Sequence, residues 1–234
     1  MERKAFELLS AMENSWWYRG RAKIVESVLH YYELGMPEGN VLDYGAGSGG
    51  MIETLKKFGT VFGSEPDEIA RNEAVSRGYK EVYASDADAL QRKYQLAVFC
   101  DVLEHIEDDR ETLERVRESL TLRGVVVMTV PAYQWMWSVH DVNHHHFRRY
   151  NRWQVIKLLE DAGFRVRYAS YWNTSLFPLA GLTRLIGKTG EGSLGLPKFI
   201  NDILLAVINL EAYLMQFIPL PWGTGIVAVG EKRN

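Results

Sequence analysis

Residues 40–50 read NVLDYGAGSGG. A short apolar run meets Gly45, Gly47 and Gly50 at the spacing G-x-G-x-x-G, and MIETLKKFG (51–59) follows with helical character as far as Gly59. A strand, a glycine turn and a helix in that order let the backbone turn tightly and approach a ligand closely, because glycine reaches conformations closed to other residues. The pattern alone is weak evidence, since a tight strand-to-helix turn can also hold nothing.

Outward from this turn, short apolar runs alternate with helical patterns. TVFGSE (60–65) reads as a second strand, DEIARNEAVSRG (67–78) as a helix, KEVYAS (80–85) as a third strand and YQLAVFCD (94–101) as a fourth. EDDRETLERVRESLTLRG (107–124) is a long helix, acidic at its start and basic near its end, as the helix dipole favours. GVVVMTVP (124–131) is a fifth strand, apolar on both faces and therefore central in a parallel sheet. NRWQVIKLLEDAGF (151–164) is a helix, RVRYASYW (165–172) a sixth strand and GTGIVAVGEK (223–232) a seventh. This alternation predicts an α/β fold with a doubly wound sheet. The first 36 residues read as helical, with Ile24, Val25, Val28, Leu29 and Tyr32 at helical spacing. Two stretches break the rhythm: 132–150, and 173–222 with a helix at 198–217. Long additions at strand ends of such folds usually build the substrate side.

The composition bounds the function. A chain of 234 residues, 47% hydrophobic and 24% charged, suits one globular domain over 1–234. A net charge of −3 leaves no basic footprint for nucleic acid. The single cysteine, Cys100, excludes an internal disulfide and a cysteine-only zinc site. MERKAFELLSAMENSWW lacks an apolar signal core, so a cytoplasmic location is expected. The run 199–217 is interrupted by Asn201, Asp202, Asn209, Glu211 and Gln216, too polar for a comfortable membrane span.

Acidic residues recur where the strands end. Glu65 closes the second strand, twenty residues past Gly45, where a carboxylate can accept from ribose hydroxyls. NAD and S-adenosylmethionine both meet that requirement. Asp43, two residues before the first glycine, separates them: a carboxylate there repels a pyrophosphate and suits a ligand carrying sulfonium and ammonium groups. Asp86 follows the third strand and Asp101 the fourth. Any one of these is also a candidate helix cap. Four in register at the ligand-binding edge of a parallel sheet are harder to explain as capping.

VLDYGAGSGG, GSEPDE, ASDADAL and FCDVLEHIED, in that order, resemble the successive motifs of class I S-adenosylmethionine-dependent methyltransferases, most nearly the small-molecule, type 11-like branch. The resemblance runs from about residue 14 to 170, and the terminal strand fits it. It implies a Rossmann-like sheet of order 3-2-1-4-5-7-6 with the last strand antiparallel. It implies that Gly45, Ala46 and Gly47 hold the methionine part, Glu65 and Pro66 the ribose, and Asp86 and Ala87 the adenine. Cys100, Asp101 and Val102 would line the methyl-donor pocket, with Asp43 beneath. SWWYRGRAKIV (15–25) resembles the branch's W-W-F-x-x-R segment, which assigns Arg21, ahead of Arg19, to the methionine carboxylate. The other reading makes Trp16 and Trp17 packing and both arginines solvated.

Methyl transfer is an in-line displacement in which the protein holds the acceptor atom near the methyl carbon and excludes water. A hydroxyl or protonated amine also needs a base, and histidine titrates in the right range. HDVNHHHFRRY (140–150) carries four histidines. Consecutive histidines in an extended chain point to opposite sides, so a metal held by His144, His145 and His146 is disfavoured, although a helix would bring His140 and His144 together. No metal is expected. Relatives carry S-x-H-D, a spacer and H-x-R-R-Y, which match Ser138–Asp141 and His146–Tyr150. By that resemblance His140, Asp141 and His146 are the catalytic candidates, and His144 and His145 are spacer. Arg148 and Arg149 either bind an anionic acceptor or tie the loop down by ion pairs. His105 is a further candidate, or simply supports the loop under the cofactor.

Tyr133, Trp135, Trp137, Trp172 and Trp222 lie on or beside the additions and serve either acceptor stacking or core. The 198–217 helix covers the pocket, binds a partner or lies on a membrane surface, the last weakened by its few basic residues. The expected activity is methyl transfer from S-adenosylmethionine, yielding S-adenosylhomocysteine, to the oxygen or nitrogen of a small molecule, a sugar or a lipid-linked glycan. The rival classes are an NAD-dependent oxidoreductase and a non-catalytic binding or scaffold protein. Oligomeric state is not legible from the residues.

Overall fold

The computed structural model describes residues 15–31, 39–185 and 196–233. Strands β1 (Asn40–Tyr44), β2 (Thr60–Ser64), β3 (Glu81–Tyr83), β4 (Tyr94–Cys100), β5 (Leu120–Pro131), β6 (Phe164–Trp172) and β7 (Gly225–Lys232) form one sheet in the order β3-β2-β1-β4-β5-β7-β6. All neighbours pair in parallel except β7, which is antiparallel to both β5 and β6. The expected doubly wound order is present.

The helices are α1 (Trp16–Tyr31), α2 (Ile52–Leu55), α3 (Glu68–Arg77), α4 (Asp86–Ala89), α5 (Asp109–Ser119), α6 (Val139–Asn143), α7 (Arg152–Asp161), α8 (Phe177–Leu185) and α9 (Lys198–Leu214). Strand alternation sorts side chains between two cores. Val41, Leu96, Val98, Val125 and Val127 face a layer containing Ile24 and Leu29 of α1, Leu55 of α2, Ala74 of α3 and Ile208 of α9. Leu42, Phe99, Val126, Met128 and Val130 face Leu113 and Val116 of α5 and Val155 and Leu159 of α7. Each fully buried Leu or Val contributes roughly 1.5–3 kcal/mol, so both layers are needed to hold the central strands.

Several boundaries differ from the sequence reading. The helix read over 107–124 ends at Ser119, and β5 starts at Leu120 and runs through Arg123 and Gly124. The strand read at 80–85 shortens to three residues at the sheet edge, where only β2 supports it. Tyr32 and residues 1–14 of the expected N-terminal helix lie outside the described residues, as do 186–195 of the second addition.

Two buried side chains, Glu211 and Ser27, make polar contacts that help hold the second addition. Glu211 of α9 is 4% exposed and accepts from the backbone N–H groups of Thr174 (3.0 Å) and Ser175 (2.7 Å), just before α8. Ser27 of α1 donates to the Ala212 carbonyl at 2.7 Å. Gly20 lets α1 and α9 touch: a Cβ there would sit 2.9 Å from Ile208 Cγ2. The polar residues that interrupt the 199–217 run therefore include an anchor, Glu211.

Candidate active site

The glycine turn after β1 forms as expected, with one change. Gly45, Gly47 and Gly49 all have positive φ, at 73°, 53° and 87°. The third glycine that the backbone needs is Gly49, not Gly50: a Cβ on Gly49 would meet Ala74 Cα at 2.9 Å. A Cβ on Gly45 would meet Val102 Cγ2 at 2.7 Å, whereas one on Gly47 would meet nothing within 4 Å. Gly47 thus borders open space, as a ligand cradle requires. The Gly47 N–H donates to Glu65 Oε2 at 2.9 Å, and Asp67 N–H to Glu65 Oε1 at 2.9 Å. Pro66 follows, its carbonyl accepting from Arg71 at 2.5 Å.

Asp43 is 2% exposed and accepts from the Tyr79 hydroxyl at 2.6 Å. Burial pushes its pKa up to about 6, against the Tyr79 hydrogen bond and the charge of Arg21. Asp86 opens α4, but Ser85 is the cap, accepting from Ala87 N–H at 3.1 Å. The Asp86 carboxylate accepts from the Tyr44 and Ser64 hydroxyls, which aim it back toward the ends of β1 and β2. Capping therefore does not account for Asp86.

Arg21 is buried and Arg19 exposed, which removes the reading with both arginines solvated. Arg21 Nη1 donates to Asp101 Oδ2 at 2.8 Å and to the Cys100 carbonyl at 3.2 Å, while its Nε is buried without a partner. Burial lowers its pKa, but the Asp101 carboxylate, with Cys100 and Tyr18, raises it overall. Asp101 also accepts from Thr129 Oγ1 at 2.9 Å. Asp101, directly past β4, and Tyr133, two residues past β5, hold φ of 56° and 58°, a region where non-glycine residues carry strain and where functional sites concentrate it. Val102 leads into the 3-10 turn Leu103–His105. A groove of about 450 Å³ runs between α1 and α2, lined by Tyr18, Arg19, Arg21, Gly50, Met51 and Thr54. It adjoins the methionine end of the proposed site; Glu65 and Asp86 do not line it.

The 138–150 loop folds as a short helix laid on the turn after β4. Ser138 and Asp141 form a capping box over α6, and the Phe147 N–H donates to the Glu104 carbonyl at 2.7 Å. Asp141 is fully buried. It accepts from Ser138 N–H (2.8 Å) and Oγ (3.0 Å), from Arg149 Nε (2.7 Å) and Nη2 (3.0 Å), and lies 2.9 Å from His146 Nδ1. Burial opposes its charge, but His146 and Arg149 hold its pKa below the usual carboxylate range. Asp141 therefore organises the loop and orients His146. Both arginines tie the loop to the domain: Arg149 through Asp141 and the Ala132 carbonyl, Arg148 through Asp109 at 2.9 Å and the Glu107 carbonyl at 2.6 Å.

His140, His144 and His146 share this surface, with His140 and His144 ring centroids 4.2 Å apart. The helical pairing of His140 with His144 is thus present. His105 stacks edge-on against His146, centroids 4.5 Å apart. Burial, chiefly, lowers the pKa of both His140 and His105, keeping them neutral near pH 7. Trp172 is core, fully buried against Trp17 and Gly225. Tyr133 stacks on Tyr171 and neighbours Trp135 and Phe177, making an aromatic wall beside the loop.

Four contributors escaped the sequence reading. Tyr79 supports Asp43, Tyr44 and Ser64 support Asp86, and Glu104 sits buried behind His105. Tyr44 and Ser64 carry a signal, since both occupy the last strand position before a ligand-side turn. Tyr79 and Glu104 carry none, because neither closes a strand.

The methyltransferase-domain profile matches residues 16–169. The chain belongs to that family. S-adenosylmethionine is the methyltransferase's cofactor, and the open cradle at Gly47 and the row of carboxylates at the strand ends fit it. No curated protein sequence matches the chain. Among solved structures, it is similar to an S-adenosylmethionine-dependent methyltransferase from Archaeoglobus fulgidus, at 19% identity and TM-score 0.59 over 90% of this chain and 94% of that one. It is also similar to the Haemonchus contortus phosphoethanolamine N-methyltransferase 2 in complex with S-adenosylmethionine, at 16% identity and TM-score 0.57, covering 90% of this chain and 52% of that one. The plantazolicin methyltransferase BamL, in complex with S-adenosylhomocysteine, matches at 13% identity and TM-score 0.58 over 92% and 86%. At these identities the likeness concerns the fold. An oxidoreductase and a scaffold protein are set aside by the family match.

Proposed function

We propose that this methyltransferase modifies an oxygen or nitrogen of an amphiphilic acceptor, a sugar on a lipid-linked glycan, with a histidine of the 138–150 loop as base. When bound, S-adenosylmethionine supplies an electrophilic methyl group on a sulfonium. Arg21 and the glycine turn hold its methionine part, Asp43 offsets its positive charge, Glu65 accepts from the ribose and Asp86 from the adenine. His140 accepts the acceptor's proton, and His146, its ring held in place by Asp141, orients the acceptor.

The observation that carries the acceptor class is an apolar flank. Phe199, Ile203, Leu210 and Tyr213 of α9 and Phe217 just beyond are each more than half exposed, at spacings of one or two helical turns. Leu179 and Leu182 of α8 are also more than half exposed, and a Cβ on Gly181 of that helix would lie 3.4 Å from the Trp135 ring. Contiguous exposed apolar surface of this kind marks an interaction site. With Lys198 the one cation on α9, apolar burial and not charge would hold it at a lipid surface. No described helix is long and apolar enough to cross a membrane, so the contact is peripheral.

An acceptor screen that follows S-adenosylhomocysteine release, with lipid-linked and free sugars side by side, tests this reading. Turnover is expected on the lipid-linked form and weakens with Leu210→Glu or Phe217→Glu. Equal turnover on the free sugar, unaffected by either change, removes the lipid-linked reading and leaves sugar methylation standing.

A further inference from the structure

The turn after β4 and the loop after β5 bring together three metal-ligating side chains. Glu104, His105 and His146 each present a donor atom, and these atoms lie within 4.8 Å of one another. We propose that Glu104, His105 and His146 bind one divalent transition-metal ion of the zinc type, beside the acceptor.

Glu104 is the first reason. Its side chain is 1% exposed, and its Oε2 is buried with no hydrogen-bond partner. A buried carboxylate oxygen left unpaired is costly and calls for a partner. A cation at the centre of the cluster is the partner this geometry offers.

His146 is the second. Asp141 Oδ1 lies 2.9 Å from its Nδ1. Asp141 is itself gripped by Arg149 and capped by Ser138, so it stays an ionised acceptor. Nδ1 therefore carries the proton, and Nε2 is left with its lone pair. A carboxylate behind a histidine in this way is the usual support of a metal-binding imidazole. The backbone fixes the same relationship, with His146 N–H donating to the Asp141 carbonyl at 2.9 Å and Phe147 N–H to the Glu104 carbonyl at 2.7 Å.

The donor set selects the ion. Two imidazoles and one carboxylate suit zinc and its neighbours better than magnesium or calcium, which favour all-oxygen shells. Three protein ligands leave a fourth position open, as in catalytic sites, and an acceptor oxygen fits there. Around a tetrahedral ion with bonds of about 2.1 Å the donors sit roughly 3.4 Å apart, so closure from 4.8 Å asks for side-chain adjustments alone. The proposal concerns binding of the ion and stands whatever the acceptor proves to be.

Chelator-treated protein titrated with zinc chloride, by calorimetry and by competition with a chromophoric chelator, tests it. One ion per chain is expected. Glu104→Gln keeps shape and volume, and His105→Ala removes an exposed ring, so both variants are expected to fold with an unchanged circular dichroism spectrum. Each is expected to bind zinc at least tenfold more weakly, while His145→Asn, an exposed neighbour outside the set, binds as wild type. Less than one ion per chain in wild type overturns the proposal. So does unchanged affinity in both Glu104→Gln and His105→Ala, or a loss in His145→Asn as large as in His105→Ala, which would mark capture by surface histidines.

Discussion

Arg149 and Asp141 meet through two parallel hydrogen bonds, Nε to Oδ1 at 2.7 Å and Nη2 to Oδ2 at 3.0 Å. Oδ1 also faces His146 Nδ1, so the fork acts through the carboxylate on the orientation of the imidazole. A bidentate grip of this kind fixes direction as well as distance. Of the two readings of the arginine pair, acceptor clamp or tie to the domain, the ion pairs present are those of the tie.

Asp141→Asn breaks this frame and leaves a buried guanidinium without its counter-ion. The expected loss is about 3–5 kcal/mol in urea denaturation at pH 7. The folded-state pKa of Asp141 lies below its ordinary value of 3.8, so its stabilisation is complete above that value and disappears as pH falls through the folded one. The difference between wild type and variant is therefore flat above about pH 5 and shrinks in acid. A difference that instead grows in acid refutes the assignment.

Asp43 titrates the opposite way. Burial raises its pKa to about 6, so it favours the folded state below its unfolded value of 3.8 and loses that contribution as pH rises through 6. Binding of a cationic ligand needs the ionised form. Between pH 5 and 7.5 the affinity for S-adenosylmethionine is expected to rise about tenfold, the change in ionised fraction for such a group. Asp43→Asn should bind more weakly at pH 7.5 and show no such rise by calorimetry.

Gly47→Val and Asp86→Ala probe the two ends of the cofactor site. The Gly47 cradle is open, so a valine there fills ligand space and adds about 1–2 kcal/mol of left-handed strain. Asp86→Ala leaves the Tyr44 and Ser64 hydroxyls without their acceptor. Both variants are expected to lose S-adenosylmethionine affinity sharply; unchanged affinity in both contradicts the site.

His140→Ala is expected to lower kcat by roughly 10²–10⁴, the usual size of general-base assistance, and His146→Ala to lower it by loss of acceptor orientation, with cofactor affinity near wild type in both. Because burial lowers the His140 pKa below 6.5, the acid limb of the rate profile should lie below 6.5 when His140 is the base. Full turnover in both variants eliminates a histidine base.

The sheet was legible because its signals are local. Short continuous apolar runs such as LAVF and VVVM, bounded by turn signals and alternating with helical patterns, fit strands buried on two faces, and the order was what the family resemblance implied. The row Asp43, Glu65, Asp86 and Asp101 was legible because each residue lies within three positions of a strand's carboxyl end. The third glycine was misplaced by one, since Gly49 answers to Ala74, a packing partner twenty-five residues away that no turn pattern encodes. Glu104 was invisible for the same reason. Glu104 is buried in the fold, and the 138–150 loop reaches it through the Phe147 N–H on its carbonyl, a contact forty-three residues away in sequence.

The insertion of β7 between β5 and β6 has a consequence for how the chain reaches this form. β5 and β6 never pair with one another; β5 lacks its second neighbour, and β6 any neighbour, until residues 225–232 arrive. Until then β4–β5 presents an open edge and β6 has no neighbour, so the last strand acts as a keystone. Assembly of this half must wait for contacts separated by up to about a hundred residues, the kind of closure that slows folding. A nascent chain would carry two unsatisfied edges in the meantime, and chaperone dependence during synthesis should track the strength of β7 rather than of the glycine-turn half.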